Sequence, residues 1–449
     1  MVSVRHHRGT KNTKDAPSKK MAPRCFKWVE AIVPGSRFRA GGLELEDPTT
    51  VLFQRALGLV PPWDVAHITF DAERHRLDIQ LSFDRGARFA CPEGDSDDCP
   101  VHDLTEKEWR HLNFFEHEAY LHAKVPRVRC VKHGVRLIQV PWARAGSGFT
   151  LLFEALAMVL MREMPVKAAA RIVGEHDTRL WRVLMHHVDT ARSHEDFSDV
   201  HQVGVDETSH RRGHNFVSVF ADLGRAKVIF ATPSREKKVI GEFKTDLEAH
   251  GGKAAYVFNF SSDLHRPYRL GIREHFPNAT LTLDRYHVVQ LLNRAVDEVR
   301  RREQRTAPGL KNSRYTWLKK PSKLSTGQKQ DLLYLRDRYR QTGRAYELKL
   351  KFDDMWSLNS EMAPGYLVAW CSEVRRSGLE PLKAFADSID KHRYDVLRWF
   401  RTHISIGVLE AINGLIQAAK RRARGYRTDR HYIAMIYMTA GKLNFELPT

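Results

Sequence analysis

HQVGVD (201–206), NFVSVFADL (215–223), AKVIFAT (226–232), AAYVFNF (254–260) and ATLTLD (279–284) are short runs rich in Val, Phe, Ile, Ala and Thr. Such runs, interrupted by Gly, Asp and Pro, predict β-strands. A turn containing Gly224 joins the second and third. Helices are predicted over 234–249 and over RPYRLGIREHF (266–276), so the order is β-β-β-α-β-α-β. From Val288 to about Arg401 the pattern is nearly all helical, with a loop around 308–323, and a last amphipathic helix begins near Gly407.

This order is that of a ribonuclease H-like mixed sheet, followed by the helical block at about 288–402. The fold class is therefore multidomain α/β. Working outward, residues 1–44 are basic, polar and without period, and predict a flexible tail in which Met21 is a second possible start. Residues 45–145 predict a β-rich unit. In it, HITFDAERHRLDIQLSF (67–83) alternates apolar and polar residues around a turn, and Pro61–Pro62 ends any helix before it. Residues 146–195 predict three short helices. Val166, Ala169, Ala170 and Val173 form an apolar stripe, Gly174 closes it, and Asp177 is the expected cap of TRLWRVLMHHV (178–188). Helix, glycine turn and helix predict a helix-turn-helix. The catalytic unit is assigned to 196–449.

The 449 residues carry 73 Lys+Arg against 54 Asp+Glu, a net charge of +19. A charge of this size favours polyanionic partners, since each phosphate contact releases counterions. Hydrophobic residues make up 42%, which excludes a mostly disordered chain. The most apolar stretch, Leu151–Met161, is short and contains Glu154, so no transmembrane helix is expected, and the N-terminus has no apolar signal segment. A cytoplasmic, nucleoid-associated location is the corresponding expectation. Five cysteines in a chain of this length do not form a disulfide framework.

Within the basic background, Asp206 closes the first strand and Asp263 follows the fourth. In a β-β-β-α-β-α-β sheet these strands are neighbours, so the carboxylates meet in one crevice. Two like charges about 4 Å apart repel by roughly 4 kcal/mol at an effective dielectric of 20, and divalent metal removes that cost. Hard oxygen ligands suit two Mg²⁺ or Mn²⁺ ions, which can activate a nucleophile and stabilise a leaving oxygen of a phosphodiester. On the last helix Leu409, Ile412, Ile416 and Ala419 form the apolar face. Glu410, Asn413, Gln417 and Arg421 or Arg424 form the polar one, a carboxylate leading into cations. A solvated face is the plain alternative for Glu410 alone. Asp284, with His287 three residues on, competes with Asp263, although its strand falls at the sheet margin; capping of the next helix is the structural alternative.

Cys91, Cys99, Cys130 and His133 have zinc-ligand chemistry, and Cys130-x-x-His133 has knuckle spacing. Seven residues between Cys91 and Cys99 are loose for a zinc pair, and Cys99-x-x-His102 is a tighter alternative. In the helix-turn-helix, Arg179, Arg182 and His186 predict an exposed face able to reach bases or phosphates, with Leu180, Val183, Leu184 and His187 turned inward.

Taken together, PRVRCVKHGV (126–135) with VPWA (140–143), Phe149–Glu154, VGVDETSHRRGH (203–214), HFPNATLTLDRYHVV (275–289) and LEAINGLIQAAKRRARGY (409–426) resemble the ISL3-type insertion-sequence transposases, bacterial members of the DDE group. The likeness runs from about Glu44 to the end, and the large helical block at about 288–402 resembles the all-helical insertion that interrupts the ribonuclease H-like fold in related transposases. The likeness implies Asp206 and Glu410 as outer members of a catalytic triad, with Asp263 or Asp284 in the middle. It also implies DNA cleavage and strand transfer on double-stranded terminal inverted repeats and target DNA by a homo-oligomer, with Arg421, Arg422 and Arg424 on phosphates. The widened Cys91–Cys99 pair departs from the family pattern. Two rivals are a non-catalytic DNA-binding regulator, which would not need all three carboxylates, and a ribonuclease H-like nuclease or resolvase, which would cleave without joining strands.

Overall fold

The computed structural model describes residues 47–94, 96–211, 215–403 and 407–447. The tail assigned to 1–44 lies outside them.

The N-terminal unit opens with α1 (Pro48–Ala56), capped by the Asp47 carboxylate on the Thr49 amide at 2.9 Å. Strands β1 (Trp63–Asp71), β2 (Arg76–Phe83), β3 (Val101–Arg110), β4 (Glu118–Cys130) and β5 (Gly134–Leu137) form one sheet in the order β1-β2-β4-β3, with β5 on the end of β4. The β1–β2 hairpin was legible from alternation. The long β3–β4 pair was not, because VHDLTEKEWR carries a charge or polar group at most positions. Trp63, Trp109 and Trp142 pack edge-on beneath this sheet.

Three helices follow, α2 (Leu151–Glu163), α3 (Val166–Val173) and α4 (Asp177–Ser193). Thr150 caps α2, and Gly174 closes α3 in the left-handed conformation that glycine adopts without strain. The cap of α4 is His176, whose ring accepts from the Thr178 amide, while Asp177 occupies the first helical turn.

The second sheet contains β6 (Gln202–Ser209), β7 (Phe216–Asp222), β8 (Lys227–Pro233), β9 (Asn259–Ser262) and β10 (Thr280–Leu283), in the order β10-β9-β6-β7-β8. β6, β9 and β10 are parallel; β7 and β8 are antiparallel additions. α5 (Lys238–Ala249) and α6 (Arg266–His275) cover one face around Phe220, Phe243, Phe260 and Phe276. Two sequence readings shift here. α5 starts four residues later than its pattern suggests, and 254–256 form a 3-10 turn, so β9 begins only at Asn259.

α7 (Arg285–Gln304) leads into a helical block: α8 (Arg314–Leu318), α9 (Thr326–Arg338), α10 (Arg340–Met355), α11 (Met362–Arg376), α12 (Glu380–Lys391), α13 (Arg393–Leu397) and α14 (Trp399–Thr402). It has its own core around Leu292, Trp317, Phe352, Trp370 and Phe385. The chain then returns through α15 (Gly407–Arg422) and α16 (Asp429–Ala440). One continuous apolar core joins α2, α3 and α4 to β7, β8, α15 and α16. Trp181 of α4 stacks on His431 of α16 at 4.0 Å, and Arg192 pairs with Asp246 at 2.8 Å. Among the described residues no helix is long and apolar enough to cross a membrane.

Candidate active site and DNA-binding elements

Parallel register brings the acidic residues together. Leu283 pairs with Ser262, so Asp284 and Asp263 are the next residues on neighbouring strands. Gly204 pairs with Ser261, so Asp206 and Asp263 each lie two residues further on. Three carboxylates thus form a row across the C-terminal ends of β10, β9 and β6, the edge at which parallel α/β sheets bind ligands. Asp206 does not end its strand: β6 runs on to Ser209 against β7, and Asp206 stands where β6 leaves β9.

The fourth acid arrives on α15. Leu409, Ile412 and Ile416 are buried; on the opposite face Glu410, Arg421 and Arg424 are exposed, as a solvated face would have them, whereas Asn413, Gln417 and Lys420 are half-buried against β6. Asn413 donates to Asp206 Oδ2 at 2.8 Å, Gln417 donates to Thr208 Oγ1 at 2.7 Å, and Lys420 donates to the Ser209 carbonyl at 2.6 Å. The helix is thereby laced along β6, with Glu410 one turn before Asn413, at the carboxylate row.

Burial pushes the Asp206 carboxyl up to about 6. His287 and the Glu207 amide oppose the rise, and Asp263 and Asp284 add to it. Burial and the charges of Asp263 and Asp206 push Glu207 up to about 7; its Oε2 has no hydrogen-bond donor among the described residues. Glu410 is also raised, by burial and by Asp284. Burial pulls His287 down, but its contact with Asp284 and the charges of Asp206 and Asp263 outweigh this and hold it at about 9. Asp284 is 2% exposed, caps α7 by accepting from the His287 amide at 3.0 Å, and faces His287 Nδ1 at 3.3 Å. Asp263, half-buried, accepts from the His265 amide at 2.9 Å. The site therefore crowds hard oxygen donors around one imidazole, a donor set that fits a divalent cation of the Mg²⁺ or Mn²⁺ type. Glu207 is the member the sequence reading missed, although it directly follows Asp206.

Cys91, Cys130 and His133 place their donor atoms within 4.8 Å of one another, with His133 Nδ1 at 3.5 Å from Cys91 Sγ and 3.8 Å from Cys130 Sγ. Two ligands at ordinary Zn–S and Zn–N bond lengths in a tetrahedron lie about 3.6 Å apart, so the set fits zinc. The long Cys91–Cys99 spacer folds as a small hairpin, in which Phe89 and Cys99 exchange backbone hydrogen bonds; Cys99 stands outside the close trio, though near enough to help raise the Cys91 thiol. Backbone N–H groups of His133 and Lys132 draw the Cys130 thiol down to about 7. His102, the alternative partner, instead faces Asp103 at 3.1 Å.

On α4, Leu180, Val183 and Leu184 are buried, and His187 turns inward to Glu154 at 2.9 Å. Arg182 and His186 are exposed. Arg179 departs from their common face: it pairs with Glu175 at 2.7 Å and lies over the Phe149 ring at 4.2 Å. The three arginines at the end of α15 also diverge. Arg421 and Arg424 line one pocket with Arg211 and Arg427, whereas Arg422 lines another with Glu163 and Lys442.

Residues 203–436 match the family profile described as a transposase of the ISL3 type. Residues 138–188 match the helix-turn-helix domain of transposase family ISL3, and 87–133 match the zinc finger of the IS204/IS1001/IS1096/IS1165 transposases. Among curated relatives, the transposase for insertion sequence element IS1557 of Mycobacterium tuberculosis is 27% identical over 369 residues, covering 74% of this chain and 81% of the relative. The transposase for IS1001 of Bordetella parapertussis is 26% identical over 353 residues, covering 75% and 85%. With more than half its length matched by the transposase profile and the family's helix-turn-helix and zinc-finger profiles matched upstream, the chain belongs to the ISL3 family of insertion-sequence transposases.

Proposed function

We propose that this transposase cuts the ends of its element and joins them to target DNA at the carboxylate row, on a ribonuclease H-like sheet. Asp206, Asp263 and Glu410 would hold two divalent cations, Mg²⁺ or Mn²⁺. When bound, such ions activate an attacking water or 3′-hydroxyl and stabilise the leaving oxygen. The chain's own part is positioning. Asn413 fixes the Asp206 carboxylate, and the helix it belongs to carries Glu410 to the same edge. Asp284 orients His287, whose positive charge offsets the carboxylates before a cation arrives. The observation that carries this reading is the register that aligns Asp206, Asp263 and Asp284, with Glu410 tied across it.

Cys91, Cys99, Cys130 and His133 would hold zinc and stiffen the N-terminal unit, which with Arg182 and His186 of α4 binds the terminal inverted repeats; Arg179 would buttress α4 from beneath. Arg421, Arg422 and Arg424 would meet phosphates along the catalytic unit. Two ends must be held at once, so a homo-oligomer on DNA is the working assembly, in the nucleoid. In the test, Asp206→Ala and Glu410→Ala proteins at wild-type levels are assayed for excision and for Mg²⁺-dependent strand transfer of a cognate end. Loss of both activities is expected, and retained excision in either variant overturns the assignment. Cleavage without joining by the wild type would favour a nuclease instead.

A further inference from the structure

The end of β6 and the α15–α16 turn border an open pocket of about 750 Å³ lined by His210, Arg211, Lys420, Arg421, Arg424 and Arg427, with no carboxylate among its lining residues. Its shape is built in. His210 is 3% exposed; its Nδ1 lies 2.5 Å from Asp429 Oδ1, its Nε2 lies 3.3 Å from the Tyr426 carbonyl, and its ring stacks on Tyr432. The Asp429 carboxylate, which follows the pocket's Arg427 in the chain, is thus taken up by His210. Arg424 and Gly425 both adopt left-handed backbone, and the Gly425 amide donates to the Lys420 carbonyl at 2.9 Å, which turns the chain sharply after α15. Arg211 donates to the Arg427 carbonyl, closing one side.

Several arginines elsewhere have acidic partners, as Arg300 has Asp297 and Arg375 has Asp387 and Asp390. Here the guanidinium groups of Arg421, Arg424 and Arg427 have no carboxylate partner among the described residues. Five like charges held together repel one another, and a polyanion relieves that repulsion.

Two rails connect the pocket to the carboxylate row. Ser209, at its rim, lies three residues beyond Asp206 on β6, about 10 Å along a strand. Arg421 lies eleven residues beyond Glu410 on α15, about 16 Å along a helix. DNA carries one phosphate per roughly 3.4 Å of axis on each strand, so this separation spans about three to five nucleotides.

We infer that this pocket grips the backbone phosphates of the DNA strand being cut, about three to five nucleotides from the scissile phosphate, and so sets the register of cleavage. The inference rests on the functional reading above. It is tested on the full-length protein with a fluorescein-labelled duplex carrying the inverted repeat that flanks the gene. Arg421→Gln and Arg424→Gln are each expected to flatten the dependence of log K on log salt by about one unit per lost phosphate contact. A methylphosphonate scan of the cut strand supplies the second readout. Neutralising one phosphate in the three-to-five window should weaken wild-type binding several-fold and leave the Arg421→Gln/Arg424→Gln protein unaffected. An unchanged salt slope, or a methylphosphonate effect that survives in the double variant, overturns the inference. Arg421→Gln, in the last turn of α15 and outside the left-handed loop, carries the test if the Arg424 variant unfolds. A wild type that neither prefers nor cuts the duplex would refute the functional reading; one that cuts while its variants keep the slope would refute only the pocket.

Discussion

Glu154 and Asp206 are both buried acids, yet their surroundings are opposite. Glu154 is fully sequestered at the junction of the helix-turn-helix with the N-terminal unit. It accepts from Arg144 at 2.9 Å and Ser147 at 2.5 Å, and lies 2.9 Å from His187. Burial pushes its carboxyl up, but His187, Arg144 and Ser147 together hold it below the usual range. Asp206 accepts from one amide and one side-chain amide, and its charged neighbours include three further acids against one imidazole. The first carboxylate has its counter-charges in hydrogen-bond contact; the second has one imidazole against several acids, an imbalance that the proposed cation would relieve. Depth of burial alone does not separate structure from chemistry here, whereas the sign of the neighbouring charge does.

The comparison can be broken in several ways, the largest effect first. Glu154→Ala leaves Arg144 and His187 facing a buried hole, and removing one partner of such a network costs about 3–5 kcal/mol. Chemical denaturation should register that loss, whereas Asp206→Asn should leave the metal-free protein as stable or more so. Equal destabilisation by the two variants would collapse the distinction. Next, Mn²⁺ at a hundredfold excess over its dissociation constant should stabilise the wild type by about 2.7 kcal/mol and Asp206→Asn much less, followed as a rise in Tm.

The two acids also give opposite pH slopes. Asp206, raised to about 6, and Glu207, raised to about 7, bind protons more tightly folded than unfolded. Their contribution to metal-free stability therefore declines as pH rises from about 4 to about 7. His287 contributes below about 6.5 and loses that contribution as pH climbs through about 9. Glu154, lowered, contributes above the normal glutamate range and loses its contribution on acidification. Asp206→Asn should flatten the first slope and Glu154→Gln the last, in urea titrations across pH. The smallest effect is expected from Asn413→Ala: about 1 kcal/mol of stability, with a larger loss of excision because Glu410 loses its tether. Unchanged excision would show that α15 is held without it.

Much of this was legible in the chain. Five β-type runs and two intervening helices sufficed to make Asp206 and Asp263 neighbours, because strand order follows from the order of elements, whereas the register that aligns them with Asp284 does not. What escaped detection depended on partners distant in the chain. The charged alternation of β3 resembles a loop until β4 pairs with it. The polar face of α15 resembles a solvated one until β6 receives Asn413, Gln417 and Lys420. Glu154 counted as a charge that spoils an apolar run and as the end of a family motif, with no role, since Arg144, Ser147 and His187 meet it through tertiary folding. Glu207 was passed over beside its neighbour, although the site draws on both.

The apolar core shared by α2, α3 and α4 with β7, β8, α15 and α16 bears on how this enzyme can change its DNA target. A reading head on a linker can be exchanged whole. Here, removing the helix-turn-helix would strip Phe153, Met158, Leu184 and Val188 from the packing that holds Ile436 and Tyr437, and so uncover the back of the catalytic sheet. If Arg182 and His186 read the repeats as proposed, substitution at such exposed positions can change specificity without disturbing that packing. Lineages of this design would then drift in target preference by single steps on α4 more readily than by trading that module whole.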